Sequence, residues 1–102
     1  MSQPEKLSNN QKKYLRGIAH GLNPMIMIGA NGVTESLMEE LESTLTHHEI
    51  LKIKIASADR DERQKITERI LKQTGALLVQ AVGKTCIIYR QNEETELPLP
   101  KK

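Results

Sequence analysis

A chain of 102 residues, 37% hydrophobic and 27% charged with a formal net charge of +2, is long enough for one small domain with a modest core. It holds no Trp or Phe and only two Tyr, so its core is aliphatic and it lacks the aromatic platform on which sheet modules stack single-stranded bases. A lone Cys excludes an internal disulfide, no apolar run approaches the roughly 18 residues of a membrane span, and residues 1–6 lack the apolar stretch of a secretory signal, so a cytoplasmic protein is expected.

Residues 8–11, Ser-Asn-Asn-Gln, have the S-x-x-Q form of a capping box and open a helix. Gly21 marks its end and Pro24 bars continuation. At about 100° per residue, Tyr14, Leu15, Ile18 and Leu22 share one side, while Lys12, Lys13, Arg16 and His20 share the other. Solvated helix faces usually mix signs, because Glu–Lys pairs four apart stabilise them. A face of cations alone suits phosphate contact better.

Residues 25–28 are continuously apolar, the pattern of a central strand buried on both faces. Gly29-Ala30-Asn31-Gly32 comes next, followed by a helix with Val33, Leu37, Met38, Leu41 and Leu45 inward and its glutamates outward. Leu51-Lys52-Ile53-Lys54-Ile55 alternates as a half-buried strand does. Its polar residues, Lys52 and Lys54, fit a solvent edge at least as well as a ligand contact. Asp59 with Glu62 offers a second capping box, opening a helix with Ile66, Ile70 and Leu71 inward and Gly75 at its close. Residues 77–82 and 86–89 are β-type runs joined by the hairpin signal Gly83-Lys84. Residues 93–102, with Pro98 and Pro100, read as a flexible tail after a domain spanning residues 1–92. The order αβαβαββ implies parallel pairing through right-handed crossovers, with the terminal hairpin making the sheet mixed.

Charge is distributed unevenly along the chain. Residues 6–34 hold no acid, residues 17–51 no Lys or Arg, and residues 69–92 again no acid. Such segregation implies an oriented surface field unless folding remixes the charges in space.

The glycine loop is the leading candidate site. A G-x-x-G turn between strand and helix bares backbone amides and permits close approach of a ligand. The next helix points its first N–H groups and positive dipole end at the same place, which suits phosphate. Glu35 in the first helical turn opposes an anion there, although it also compensates the helix dipole. Other chemistry is thin. Gly83-Lys84-Thr85 imitates the end of a nucleotide-binding P-loop, but Leu78 stands where its first glycine belongs and a strand follows instead of a helix. His47 and His48 are adjacent and point about 100° apart on a helix, and neither His20 nor Cys86 has ligand spacing around it. Neither an enzyme nor a metal or cofactor protein is expected.

Several segments together carry a family resemblance. They are Arg16-Gly17-Ile18-Ala19-His20, Met27-Ile28-Gly29-Ala30-Asn31-Gly32, Thr34-Glu35, Leu51-Lys52-Ile53-Lys54-Ile55, Thr74-Gly75-Ala76 and Val82-Gly83-Lys84-Thr85-Cys86-Ile87-Ile88-Tyr89-Arg90. Over roughly residues 5–92 the chain resembles the CRM domain, the chloroplast RNA splicing and ribosome maturation module, in its stand-alone bacterial YhbY-type form. The resemblance implies a two-layer α/β domain of order αβαβαββ. Its four-stranded mixed sheet would run 1-2-4-3 with the last strand antiparallel, similar to the C-terminal domain of the third bacterial translation initiation factor. It also implies RNA binding without catalysis, association with precursors of the large ribosomal subunit in bacteria, and group II intron splicing in plant relatives. The family's proposed RNA contact, the GxxG loop, carries over to Gly29, Ala30, Asn31 and Gly32. Ala30 and Asn31 are uncharged where many such loops hold Lys or Arg, so contact falls to amides and the Asn31 side chain.

The expected function is therefore that of a monomeric RNA-binding protein engaging ribosomal RNA. The loop would cradle the sugar-phosphate backbone, Lys12, Lys13, Arg16 and His20 would neutralise neighbouring phosphates, and Lys84 and Arg90 would add to them. No membrane or small-molecule partner is expected. The alternative is a protein-interaction adaptor on an assembling ribonucleoprotein particle, using the glutamate face of the second helix or the Lys52–Lys54 face.

Overall fold

The capping box at Ser8 closes in both directions in the computed structural model, which describes residues 6–29 and 32–91. Ser8 Oγ accepts the Gln11 N–H at 3.2 Å and Gln11 Oε1 accepts the Ser8 N–H at 2.9 Å, opening helix α1 (Asn9–His20). Strand β1 (Ile26–Ile28) leads through the glycine loop to α2 (Glu35–His48), whose cap, Thr34 Oγ1, accepts the Leu37 N–H at 3.1 Å. Strand β2 (Ile50–Ile55) and helix α3 (Arg60–Thr74) follow, then the hairpin of β3 (Leu77–Val82) and β4 (Thr85–Tyr89). The tail read at residues 93–102 lies outside the described residues.

The α3 cap differs from the expected box. Asp59 Oδ1 accepts the Asp61 N–H at 2.9 Å, but the Asp59 N–H goes to Ser57 Oγ at 3.2 Å. Ser57 Oγ in turn donates to the Glu62 carboxylate at 3.1 Å, so this serine stands between the two ends of the box. Gly75 ends α3 at φ 73° and Gly83 turns the hairpin at φ 58°. Lys84 keeps a negative φ, which fits a type II′ turn, where only the first central residue is left-handed.

The strands are ordered β1-β2-β4-β3, with β1 parallel to β2 and β4 antiparallel to both its neighbours. Order and mixture are as expected, but the layers number three. The reason is that β4 is apolar on both faces and β2 adds Ile50 to the side opposite its Leu51, Ile53 and Ile55. Leu51, Ile53, Ile55, Cys86 and Ile88 join Ile26, Ile28, Leu41, Leu45 and Ile70 in one core beneath α2 and α3. Ile50, Ile87, Tyr89 and Val79 form a second core with Leu7, Leu15 and Ala19 beneath α1.

Two local readings need correction. The apolar run at residues 25–28 is an edge strand covered on one face, with Met27 63% exposed. A helix on its open face as well would have buried it, but α1 packs on β2 and β3 instead of β1. Tyr14 lies at the rim of the apolar side of α1, 36% exposed, and the small Ala19 fills the contact in its place. In β3 the pairing shifts between Leu78 and Gln80, so both Val79 and Gln80 oppose Ile87. The extra residue, Val79, is buried under α1.

Burial of Cys86 against α3 pushes its thiol from 9.0 up to about 11, with a hydrogen bond to the Thr67 side chain pulling the other way. A folded-state value above the unfolded one favours the folded state fully below the unfolded value, and the gain is lost as pH rises through the folded value. Stability should therefore fall between about pH 9 and about pH 11, more steeply than in Cys86→Ala. Urea denaturation across that window checks this, and parallel profiles for the two proteins would refute it.

Candidate nucleic-acid interface

Folding does not remix the charges. Among the described residues every carboxylate lies on α2, on α3 or at their caps: Glu35, Glu39, Glu40, Glu42, Glu49, Asp59, Asp61, Glu62 and Glu68. Helix α1 and the four strands carry none, so the α1 side of the sheet is a surface of cations without described acids.

On that side the sheet residues fall into rows across the strands. Ile50, Tyr89 and Leu77 make the first, apolar and beneath α1. Lys52, Ile87 and Gln80 make the second. Met27, Lys54, Thr85 and Val82 make the third, with Met27 and Val82 more than 60% exposed. Helix α1 ends over the second row. Arg16 and His20 there wall a shallow groove floored by Lys52, Gln80, Val82, Thr85 and Ile87. Lys52 Nζ reaches under the helix end and donates to the Leu22 carbonyl at 3.2 Å, which orders its ammonium at the groove. Lys13 is exposed and Lys12 half-buried one turn earlier on α1.

The glycine loop leaves the same end of the sheet. The Ile28 carbonyl accepts the Ala56 N–H at 2.9 Å, and the Lys84 carbonyl accepts the Ile55 N–H at 2.7 Å. The loop and the hairpin turn thus flank the end of β2, two residues beyond Met27 and Lys54. Ala30 and Asn31 lie outside the described residues. The two glycines differ in kind. Gly32 takes φ 68° and its N–H donates to the Gly29 carbonyl at 3.0 Å. Its amide is engaged inside the loop, so the expected set of ligand-facing amides is smaller by one. Gly29 is exposed, needs no positive φ, and has nothing within 4 Å of where a Cβ would stand. Among the described residues, its lack of a side chain meets no demand of the fold.

The remaining candidates separate. Arg90 belongs to a clasp on the other side of the sheet. Its Nη1 donates to the Glu42 carboxylate at 2.7 Å and to the Thr74 carbonyl at 2.9 Å, and its Nη2 donates to Thr46 Oγ1 at 3.2 Å. It ties the end of β4 to α2 and α3 and takes no part in the groove. Lys84 is exposed in the hairpin turn and also borders a larger cleft between α3 and the hairpin. Glu68 lines that cleft and Arg63 Nη1 donates to the Ser57 carbonyl at 2.9 Å, so its electrostatics are mixed, unlike those of the groove. No group of three or more His, Cys, Asp or Glu among the described residues could hold a metal ion. Sequence reasoning passed over Met27, Gln80, Val82 and Thr85. The phase of Lys52 and Lys54 was the available signal, but only the strand register says which residues share their face.

Comparison with known proteins places this geometry in company. A model of the CRS1 / YhbY (CRM) domain matches residues 7–90. A Haemophilus influenzae protein named RNA-binding protein is 46% identical over 96 residues, covering 94% of this chain and 97% of its own. The probable RNA-binding protein PA4753 of Pseudomonas aeruginosa is 38% identical over 96 residues, covering 94% of this chain and 88% of its own. The solution structure of the hypothetical protein SAV1595 from Staphylococcus aureus matches with a TM-score of 0.79 at 33% identity, covering 92% of this chain and 99% of that one.

The glycine pair can be separated by stability alone. Gly32→Ala should cost about 1–2 kcal/mol, the strain of a left-handed side-chain-bearing residue, whereas Gly29→Ala should leave the urea midpoint unchanged. A destabilisation at Gly29 equal to that at Gly32 would assign both glycines to the turn itself.

Proposed function

The chain belongs to the CRS1 / YhbY (CRM) domain family, and on that premise we propose that it is a non-catalytic RNA-binding protein acting in maturation of the large ribosomal subunit. The observation that carries this reading is the separation of charge by layer. The α1 side of the sheet bears Lys12, Lys13, Arg16, His20, Lys52 and Lys54 with no described carboxylate among them, and the glycine loop opens at its end. A polyanion is the partner that such a surface attracts. Arg16 and Lys13 supply charge from the exposed side of α1, while Lys52 and Lys54 supply it from the sheet. Gly29 lets a sugar-phosphate backbone pass close to the chain. The names of the relatives point the same way, since two of them are called RNA-binding proteins. Ribosomal RNA in large-subunit precursors is the RNA that the family resemblance singles out.

Electrostatic contact makes a quantitative demand. Each phosphate neutralised on a single strand adds about −0.7 to the slope of log K against log salt. Lys13→Ala with Arg16→Ala should therefore flatten that slope by about 1.4 and weaken binding to every RNA alike, with no change in melting temperature. A slope identical to that of the parent would remove α1 from the interface. The choice of RNA is tested in cells. Ultraviolet crosslinking followed by sequencing should recover large-subunit precursor RNA above mature ribosomal and messenger RNA, and an even spread over all RNA would overturn the assignment.

A further inference from the structure

The third row of the sheet combines two properties that backbone contact alone does not require. Met27 and Val82, at its two ends, are 63% and 62% exposed. Lys54 and Thr85 lie between them, paired in register across the four strands. Neighbouring strands stand about 4.8 Å apart, so the row is about 14 Å long. Nothing among the described residues covers it. Helix α1 ends at His20, over the second row, and the chain leaves through Pro24 to enter β1 at the edge. The row is thus an uncovered aliphatic strip interrupted by an ammonium and a hydroxyl, backed by Lys52, Gln80, Arg16 and His20.

We infer that this strip seats the bases of unpaired nucleotides, so that the RNA engaged here is single-stranded. The inference rests on the functional reading above and adds the structural class of the RNA. A duplex stacks its bases inward and shows the protein phosphates and 2′-hydroxyls, which have no use for Met27 and Val82. An unpaired strand shows both kinds of group at once. Its phosphates meet Lys54, Lys52 and Arg16, and its base faces lie on Met27 and Val82. Thr85 and Gln80 offer a hydroxyl and an amide to base edges or ribose between them. The absence of aromatic residues from the row is no obstacle to this. Every base has an apolar face, and a polarizable methionine contacts aromatic rings favourably. An acidic protein segment would satisfy the cations equally, but it would lack the flat apolar groups that the ends of the row accept.

The test uses the full chain with two fluorescent probes, a uridine dodecamer and an RNA duplex of the same length. The parent should prefer the single strand. Met27→Ser with Val82→Ser should lose about five- to tenfold on the dodecamer, somewhat less than the loss of aromatic stacking platforms. Its duplex affinity, salt slope and urea midpoint should match the parent. Met27→Leu with Val82→Ile should restore single-strand binding. A parent that prefers duplex, or a serine variant that binds the dodecamer as tightly as the parent, overturns the inference and leaves the functional reading standing. A parent that binds neither probe at low salt overturns both. A photoreactive residue introduced at Val82 should crosslink to RNA in ribosomal precursor particles, and transfer to a particle protein instead would make the strip a protein-docking face and overturn the inference.

Discussion

The pleat of β2 is the constraint on which the rest of the molecule depends. This strand lies inside the sheet, parallel to β1 and antiparallel to β4. Leu51, Ile53 and Ile55 point into the larger core, each no more than 2% exposed, while Lys52 and Lys54 point to the side of α1. A slip of one residue would exchange the two sets, burying two ammonium groups beneath α2 and α3 and baring three aliphatic side chains. The register therefore decides stability and surface chemistry together. The same alternation sorts β4, where Cys86 and Ile88 face one core and Ile87 and Tyr89 the other. The face with the smaller helical cover is the one that carries the groove.

Much of this was legible in the chain because it is encoded locally. The Ser8 capping box, the stop at Gly75, the alternation of β2 and the Gly83-Lys84 turn each depend on residues within a few positions of one another. Pairing is different. Residues 25–28 are apolar like a central strand, yet β1 is an edge, and no window around them says how many neighbours they will have. The same gap explains Tyr14 and Ala19. A helical wheel groups both near the apolar side, and only the distance to β3 decides that the smaller residue is the one in contact. Arg90 sits in a basic stretch of sequence, whereas its partners Glu42 and Thr74 lie 48 and 16 positions away. The strip from Met27 to Val82 takes one residue from each of four strands and is invisible until they are paired.

The candidate site shows how conformational and functional requirements divide between similar residues. A G-x-x-G motif reads as a unit, but Gly32 answers a backbone demand and Gly29 does not. Gly17 poses the same question on α1. It is exposed in mid-helix, has no neighbour within 4 Å of a would-be Cβ, and weakens the helix by roughly 1 kcal/mol relative to alanine. It stands beside Arg16, on the helix whose basic side forms the wall of the groove.

Helix α2 holds four glutamates and neither Lys nor Arg, and the guanidinium paired with Glu42, that of Arg90, is drawn into its own clasp. The long-range field of the molecule is thus lopsided before any contact forms. Under the proposed function, a strand of nucleic acid diffusing toward it would meet repulsion from α2 and attraction from the α1 side, and the resulting torque would turn the protein during approach. Fewer collisions would then arrive backwards, so α2, remote from the groove, would influence the rate of capture without touching what is captured.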